Sequence, residues 1–321
     1  MRKQIDFIGK KKIFFAVSLT VILLGLAVNL IFGTELSISF RGGARISYSY
    51  SGGDISLDEV KSLVGDTIHQ NVTVQRGSDL QSGEETLSNL VIDLPGTDAL
   101  SAEDQDAITT ALREKYPDQE ITMISLDSVN PTIGTRMLSK GLYTIALCSV
   151  FLIIYVAIRF RKIGGWAAGS MAVIAVIHDV IIAYLVYVVF RIPLDDNFIA
   201  VVLTILGYSL NDTIVIYDRI RENRRYYENK KPIREIANMS LNQCLTRSLN
   251  TSISTFIAIT TIAVVCAACG LTSIMSFAIP MAVGIAVGCY TSLCIAIPLW
   301  VTWEERPKKD KKKGSRKKKT A

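Results

Sequence analysis

Apolar residues in this chain gather into long blocks instead of alternating with polar ones. Ile13–Phe32 and Leu142–Ile158 carry no charge, and Ile163–Phe190 is interrupted only by His178 and Asp179. Asn197–Tyr217 contains a single charged residue, Asp212, and Ser248–Trp303 runs for 56 residues without one. A helix that crosses a bilayer needs about 20 residues. The last block is therefore two helices with a turn near Gly270–Pro280, and six transmembrane helices are predicted.

Between the first two blocks the period changes. Ala44–Ser51 alternates and is rich in β-formers, and Asn71–Arg76 and Thr86–Leu94 also read as strands. Ser56–His69 sets Leu57, Val60, Leu63, Val64 and Ile68 at helical spacing, with Asp58 and Glu59 in the first turn. Ser101 caps a second helix to Tyr116, and Gln119–Val129 closes the set as a strand. The order βαββαβ is that of a split, ferredoxin-like unit. The expected fold class is an α-helical integral membrane protein with six transmembrane helices, plus a small exported α+β ferredoxin-like domain between helices 1 and 2. The expected divisions are 1–12, 13–33 (helix 1), 34–137 (the exported domain), 138–303 (helices 2–6) and a basic tail at 304–321.

Charge sets the orientation. Of 35 Lys and Arg residues, 26 fall in Met1–Lys12, Arg159–Lys162, Asp218–Arg247 and Glu304–Ala321, all on one side of a six-helix trace. Such residues collect in cytoplasmic loops, which predicts a multi-pass protein of the bacterial cell membrane with both termini cytoplasmic. Thr34–Met137 holds 17 of the 29 acids against seven bases, a net charge of −10. The overall +6 is thus the sum of two opposed faces and does not indicate nucleic-acid binding. The first helix is too long, and lacks the small-residue cleavage site, for a removable signal peptide; it reads as an anchor. All six cysteines lie outside the exported region, which must fold without disulfides, and Cys266-Ala-Ala-Cys269 reads as small packing residues in an apolar helix.

Asp212 carries the most information. A charge at mid-bilayer costs roughly 2.5–3.5 kcal/mol or more and usually faces a protein interior or a watery path. Asn211 and Thr213 flank it, and Arg219 lies seven residues on, on the same helical face. Asp218 and Arg219 belong to the boundary of helix 4, where a solvated helix end with i,i+3 pairing explains them. Arg247, at the start of helix 5, is either a charge partner for Asp212 or an interfacial anchor. His178 and Asp179 lie at ordinary bilayer depth and point about 100° apart, so one can serve a relay while the other bonds to a neighbouring helix. Burial favours a neutral carboxylate and a nearby cation favours the charged one, a balance suited to loading and releasing a proton. No nucleophile–base pair, metal cluster or phosphate loop accompanies it, so neither an enzyme nor a bound metal or cofactor is expected.

GYSLNDTIVIYDRIREN, from Gly207 to Asn223, closely matches the fourth-helix signature of the SecF family, the smaller membrane subunit of the bacterial SecD–SecF secretion complex. Phe40-Arg41-Gly42-Gly43, Val129-Asn130-Pro131-Thr132-Ile133-Gly134, Tyr155–Phe160, His178-Asp179, Arg247–Thr251 and Gly288–Ser292 follow in the family's order, so the chain resembles that family over nearly its whole length. It departs where Ser37-Ile38-Ser39-Phe40 replaces Gly-x-Asp-Phe, losing a carboxylate at Ser39. The resemblance implies half of a resistance-nodulation-division bundle, with SecD as the separate other half. It also implies proton-motive-force-driven help for preproteins leaving the SecYEG channel, with YajC and YidC as further partners. Carried over by motif, Asp212 and Arg247 would be the proton-relay residues, with Asn211, Thr213, His178 and Asp179 as a supporting polar shell. The basic tail reads as a segment drawn to anionic lipid. Two other readings keep the fold: half of a small-molecule or lipid exporter, and a purely structural assembly factor in which Asp212 never changes protonation.

Overall fold

The computed structural model describes residues 4–51, 55–76, 80–82, 85–96, 100–227, 230–268 and 272–306. Among these, six helices are long and apolar enough to cross a membrane. They are α1 (Lys11–Phe32), α5 (Pro131–Arg159), α6 (Gly165–Val189), α7 (Asp196–Tyr226), α8 (Ile233–Ala268) and a last span of three parts. That last span joins α9 (Thr272–Thr291) through a π turn (Ser292–Ala296) to α10 (Ile297–Glu304). α6 and the last span are largely buried within the bundle, whereas α1, α5 and α8 turn most of their length outward.

Two features of the last block depart from expectation. α8 ends at Ala268 and α9 begins at Thr272, Gly270 of the expected turn lies outside the described residues, and Pro280 sits inside α9. Within a bundle, a proline's freed backbone group can be met by neighbouring helices. In addition, α8 starts at Ile233, so Arg247 lies well inside the helix instead of opening it. No glycine or proline occurs from Ile233 to Ala268, and nothing halts the helix where its charges stop. Cys266 is buried in α8, while Cys269 falls outside the described residues.

The α+β domain between α1 and α5 has β1 (Gly43–Tyr50), α3 (Leu57–Ile68), β2 (Thr73–Arg76), β3 (Leu80–Ser82), β4 (Glu85–Pro95), α4 (Ala102–Lys115) and β5 (Thr122–Val129). The sheet order β2-β4-β1-β5 is antiparallel throughout, which is the ferredoxin-like arrangement; the short β3 adds a hairpin to β4. Alternation along β1 buries Ala44, Ile46, Tyr48 and Tyr50 against Val60 and Val64 of α3 and Ile108 and Leu112 of α4. Ser101 caps α4 by accepting from the Asp104 amide at 3.1 Å. On the other sheet face Arg45 donates two hydrogen bonds to its cross-strand neighbour Asp93, at 2.6 and 2.8 Å.

A short helix, α2 (Ile38–Arg41), joins this domain to the bundle. Its Phe40 is buried among Tyr187, Leu194, Phe198 and Leu206 of the membrane core. Gly42 follows at φ +80°, and a Cβ there would lie 2.3 Å from Pro131 Cα, so only glycine fits. Ser37 N–H donates to Leu194 O and Leu194 N–H to Glu35 O, both at 2.9 Å, strapping the start of the domain to the α6–α7 loop.

Candidate functional site

α7 carries the centre of the site. Its inner face runs Val201, Val202, Ile205, Leu206, Ser209, Leu210, Asp212, Thr213, Ile216 and Tyr217, an apolar stripe with three polar residues at mid-length. Asp212 is only 5% exposed, and its Oδ2 is buried without a hydrogen-bond partner among the described residues. Two groups of α8 bear on the carboxylate. The Ser252 hydroxyl is a hydrogen-bonding neighbour of the carboxylate, buried and without a bond of full geometry among the described residues, and Arg247 is the cation whose charge bears on Asp212. Arg247 itself is exposed. A buried carboxylate with an open oxygen, a facing hydroxyl and one cation can hold or release a proton without breaking existing bonds.

A second polar cluster lies on the α6 and α9 side of the same helix. Asp179 of α6 is fully buried and accepts from Ser209 Oγ at 2.6 Å, one turn before Asp212. His178 Nδ1 lies 3.2 Å from the other Asp179 oxygen and 3.3 Å from Thr291 Oγ1 on α9. Thr213 Oγ1 donates to Ser292 Oγ at 3.0 Å, and Ser292 Oγ donates to Ser209 O at 3.1 Å. Ser292 opens the π turn, a distortion frequent at functional sites. Gly288 permits this closeness: a Cβ there would lie 3.3 Å from Ser209 Cβ and 3.7 Å from Asp179 Oδ2.

Comparison with known proteins decides the family. The sequence model for "Protein export membrane protein SecD/SecF, C-terminal" matches residues 108–306. The protein translocase subunit SecF of Petrotoga mobilis is 32% identical over 96% of this chain and 99% of its own length. This chain belongs to the SecF family. The SecDF protein of Bacillus subtilis is 31% identical over 95% of this chain, which spans 39% of that longer protein. The crystal structure of SecDF from Thermus thermophilus, titled a translocon-associated membrane protein, matches with a TM-score of 0.78 and 26% identity. That match covers 95% of this chain and 39% of SecDF. The chain is thus a multi-pass membrane protein of the SecF family with a role in Sec protein export.

Set in this SecF framework, the candidate residues separate. Arg247 of α8 acts on Asp212 of α7 through its charge, without an ion pair between them, whereas Thr213, His178 and Asp179 form the neighbouring cluster. Asn211 joins neither; it is exposed on the outer face of α7. Asp218 and Arg219 lie at the helix end, where Arg221 pairs with Asp218 and Arg219 with Glu222, each at 2.5 Å. Arg219 also donates to Gln243 of α8 at 2.6 Å. Sequence reasoning assigns no role to Ser209, Thr291 or Ser292, which sit inside matched motifs, or to Ser252, which follows one. Their signal was a hydroxyl one turn from, or directly after, a singled-out motif residue.

Proposed function

We propose that this SecF subunit works with SecD, using the proton motive force to promote late steps of preprotein translocation through SecYEG. Asp212 is the group that takes up and releases the proton, and Arg247 is its charge partner. The observation that carries this reading is the buried Asp212 Oδ2, without a hydrogen-bond partner among the described residues, within reach of the Arg247 charge and of the buried Ser252 hydroxyl. A carboxylate kept only for packing would be expected to have its oxygens filled. The protein spans the bacterial cell membrane with both termini cytoplasmic and the α+β domain exported, in keeping with the distribution of Lys and Arg. Its action is transport, not catalysis.

SecD is the natural cover for the outward face of α8. That face presents Leu249, Ile253, Phe256 and Ile257, Arg247 is exposed on the same helix, and lipid alone would leave the guanidinium unmatched. SecDF proteins that carry both names in one chain, of which this chain spans 39%, support that pairing.

Pulse-chase export of a secreted preprotein tests the reading. Cells depleted of this protein are supplied with wild type or Asp212→Asn, and membrane levels and SecD co-purification are followed in parallel. The expected result is normal assembly with export as slow as in depleted cells. Normal export by Asp212→Asn would instead favour the structural assembly-factor reading.

A further inference from the structure

The polar cluster on α6 holds a second ionisable pair, and its geometry distinguishes the two members. Both oxygens of Asp179 are engaged, Oδ2 by the Ser209 hydroxyl at 2.6 Å and Oδ1 by His178 Nδ1 at 3.2 Å, with no exposed surface left. An ionised carboxylate only accepts, so an ionised Asp179 places the His178 proton on Nδ1. Thr291 agrees with this assignment: its hydroxyl already donates to Val287 O at 2.9 Å, leaving its oxygen to accept from Nδ1 at 3.3 Å. The opposite ring nitrogen, Nε2, is buried and has no hydrogen-bond partner among the described residues. With Nδ1 protonated, Nε2 is a bare acceptor inside the bundle.

We propose that His178 is a second proton-holding group of this subunit, loaded at Nε2, with Asp179 as the fixed anion that sets its tautomer. The imidazole takes a proton at Nε2 to become a cation, and Asp179 balances that charge without taking up the proton. Other titratable groups at mid-length on the elements around α6 are Tyr208, Asp212 and Tyr217 on α7, Tyr143, Cys148 and Tyr155 on α5, Cys289 and Tyr290 on α9, and Cys294 in the π turn; Tyr208 Oη is buried without a partner among the described residues, and Tyr217 Oη donates to Ala168 O at 3.1 Å. Tyr290 Oη is turned away, donating to Phe14 O at 2.8 Å, and the α1 stretch Ile13–Phe32 has no charged residue. The hydroxyls linking the cluster to α7 end on the Ser209 backbone carbonyl and at Thr213, so they bind the helices together without forming a proton wire to Asp212. The purpose of the second site rests on the proton-relay reading, but its chemistry can be tested separately.

The chain has two histidines, and the other, His69, is exposed in the α+β domain at φ +52°, a conformation asparagine tolerates. Full-length His69→Asn protein, labelled with 15N-histidine and placed in lipid nanodiscs, therefore reports His178 alone. In samples taken across about pH 8 to 5, the expected spectrum shows Nδ1 protonated throughout, with Nε2 gaining a proton on acidification. A neutral ring protonated on Nε2, or a ring unchanged across that range, would overturn the proposal. Asp179→Asn in the same background should remove the preference for the Nδ1 proton; an unaltered tautomer would also count against it. None of these outcomes depends on export, so failure here is distinct from failure of the Asp212 relay.

Discussion

Two buried carboxylates, Asp93 in the α+β domain and Asp212 in the bundle, solve the same problem in opposite ways. Both are 5% exposed. Asp93 is gripped on both oxygens by the guanidinium of Arg45 in a cross-strand, two-bond pair. Asp212 has a cation in range but no bond to it, and one oxygen is left bare. A fully paired carboxylate stabilises one geometry, since removing its partner leaves a buried charge uncompensated. An incompletely paired one is costly to keep and free to change state. The contrast fits the proposed division between a structural α+β body and a proton-cycling centre on α7.

The comparison can be broken most severely at Asp212. Asp212→Asn keeps the shape and removes the ionisation, so export should fall to the level of depleted cells while membrane abundance and SecD co-purification stay at wild-type values. The next largest effect is expected from Ile92→Ala in the core of the α+β domain. It should cost that domain about 2–5 kcal/mol, seen as faster amide exchange in β1 and β4 of the full-length protein, with proton chemistry in the bundle untouched. Arg45→Gln breaks the Asp93 pair. With Arg45 35% exposed, solvent screening trims the loss to about 1–2 kcal/mol, again read by amide exchange. Equal effects of Arg45→Gln and Asp212→Asn on export would erase the distinction. The smallest effect should come from Ser101→Ala, about 1 kcal/mol from a lost helix cap, confined to exchange at the start of α4.

Much of this architecture was legible in the residue pattern because the periods are clean. Apolar blocks longer than a bilayer gave six spans, and the switch to alternation and helical spacing after Phe32 gave βαββαβ. Asp212 and Arg247 stood out because charge is rare next to apolar runs of that length. The start of α8 was hidden because helical periodicity continues through charged residues unless a breaker intervenes. Pro280 looked like a turn because its tolerance inside a helix depends on neighbouring helices that the local sequence does not reveal. Asn211 drew notice by adjacency to Asp212, yet a step of about 100° per residue carries it to the outer face. Ser209, Ser252, Thr291 and Ser292 gain meaning only once α6, α7, α8 and α9 are placed side by side, since a single hydroxyl in an apolar run looks like packing.

Proton movement during translocation tests the central claim most directly. Inverted membrane vesicles containing SecYEG, SecD and either wild type or Asp212→Asn would be given a preprotein already engaged in the channel, with a pH-sensitive dye reporting the vesicle interior. The account predicts translocation-dependent proton flux with wild type and none above background with Asp212→Asn. Equal flux in the two would contradict it.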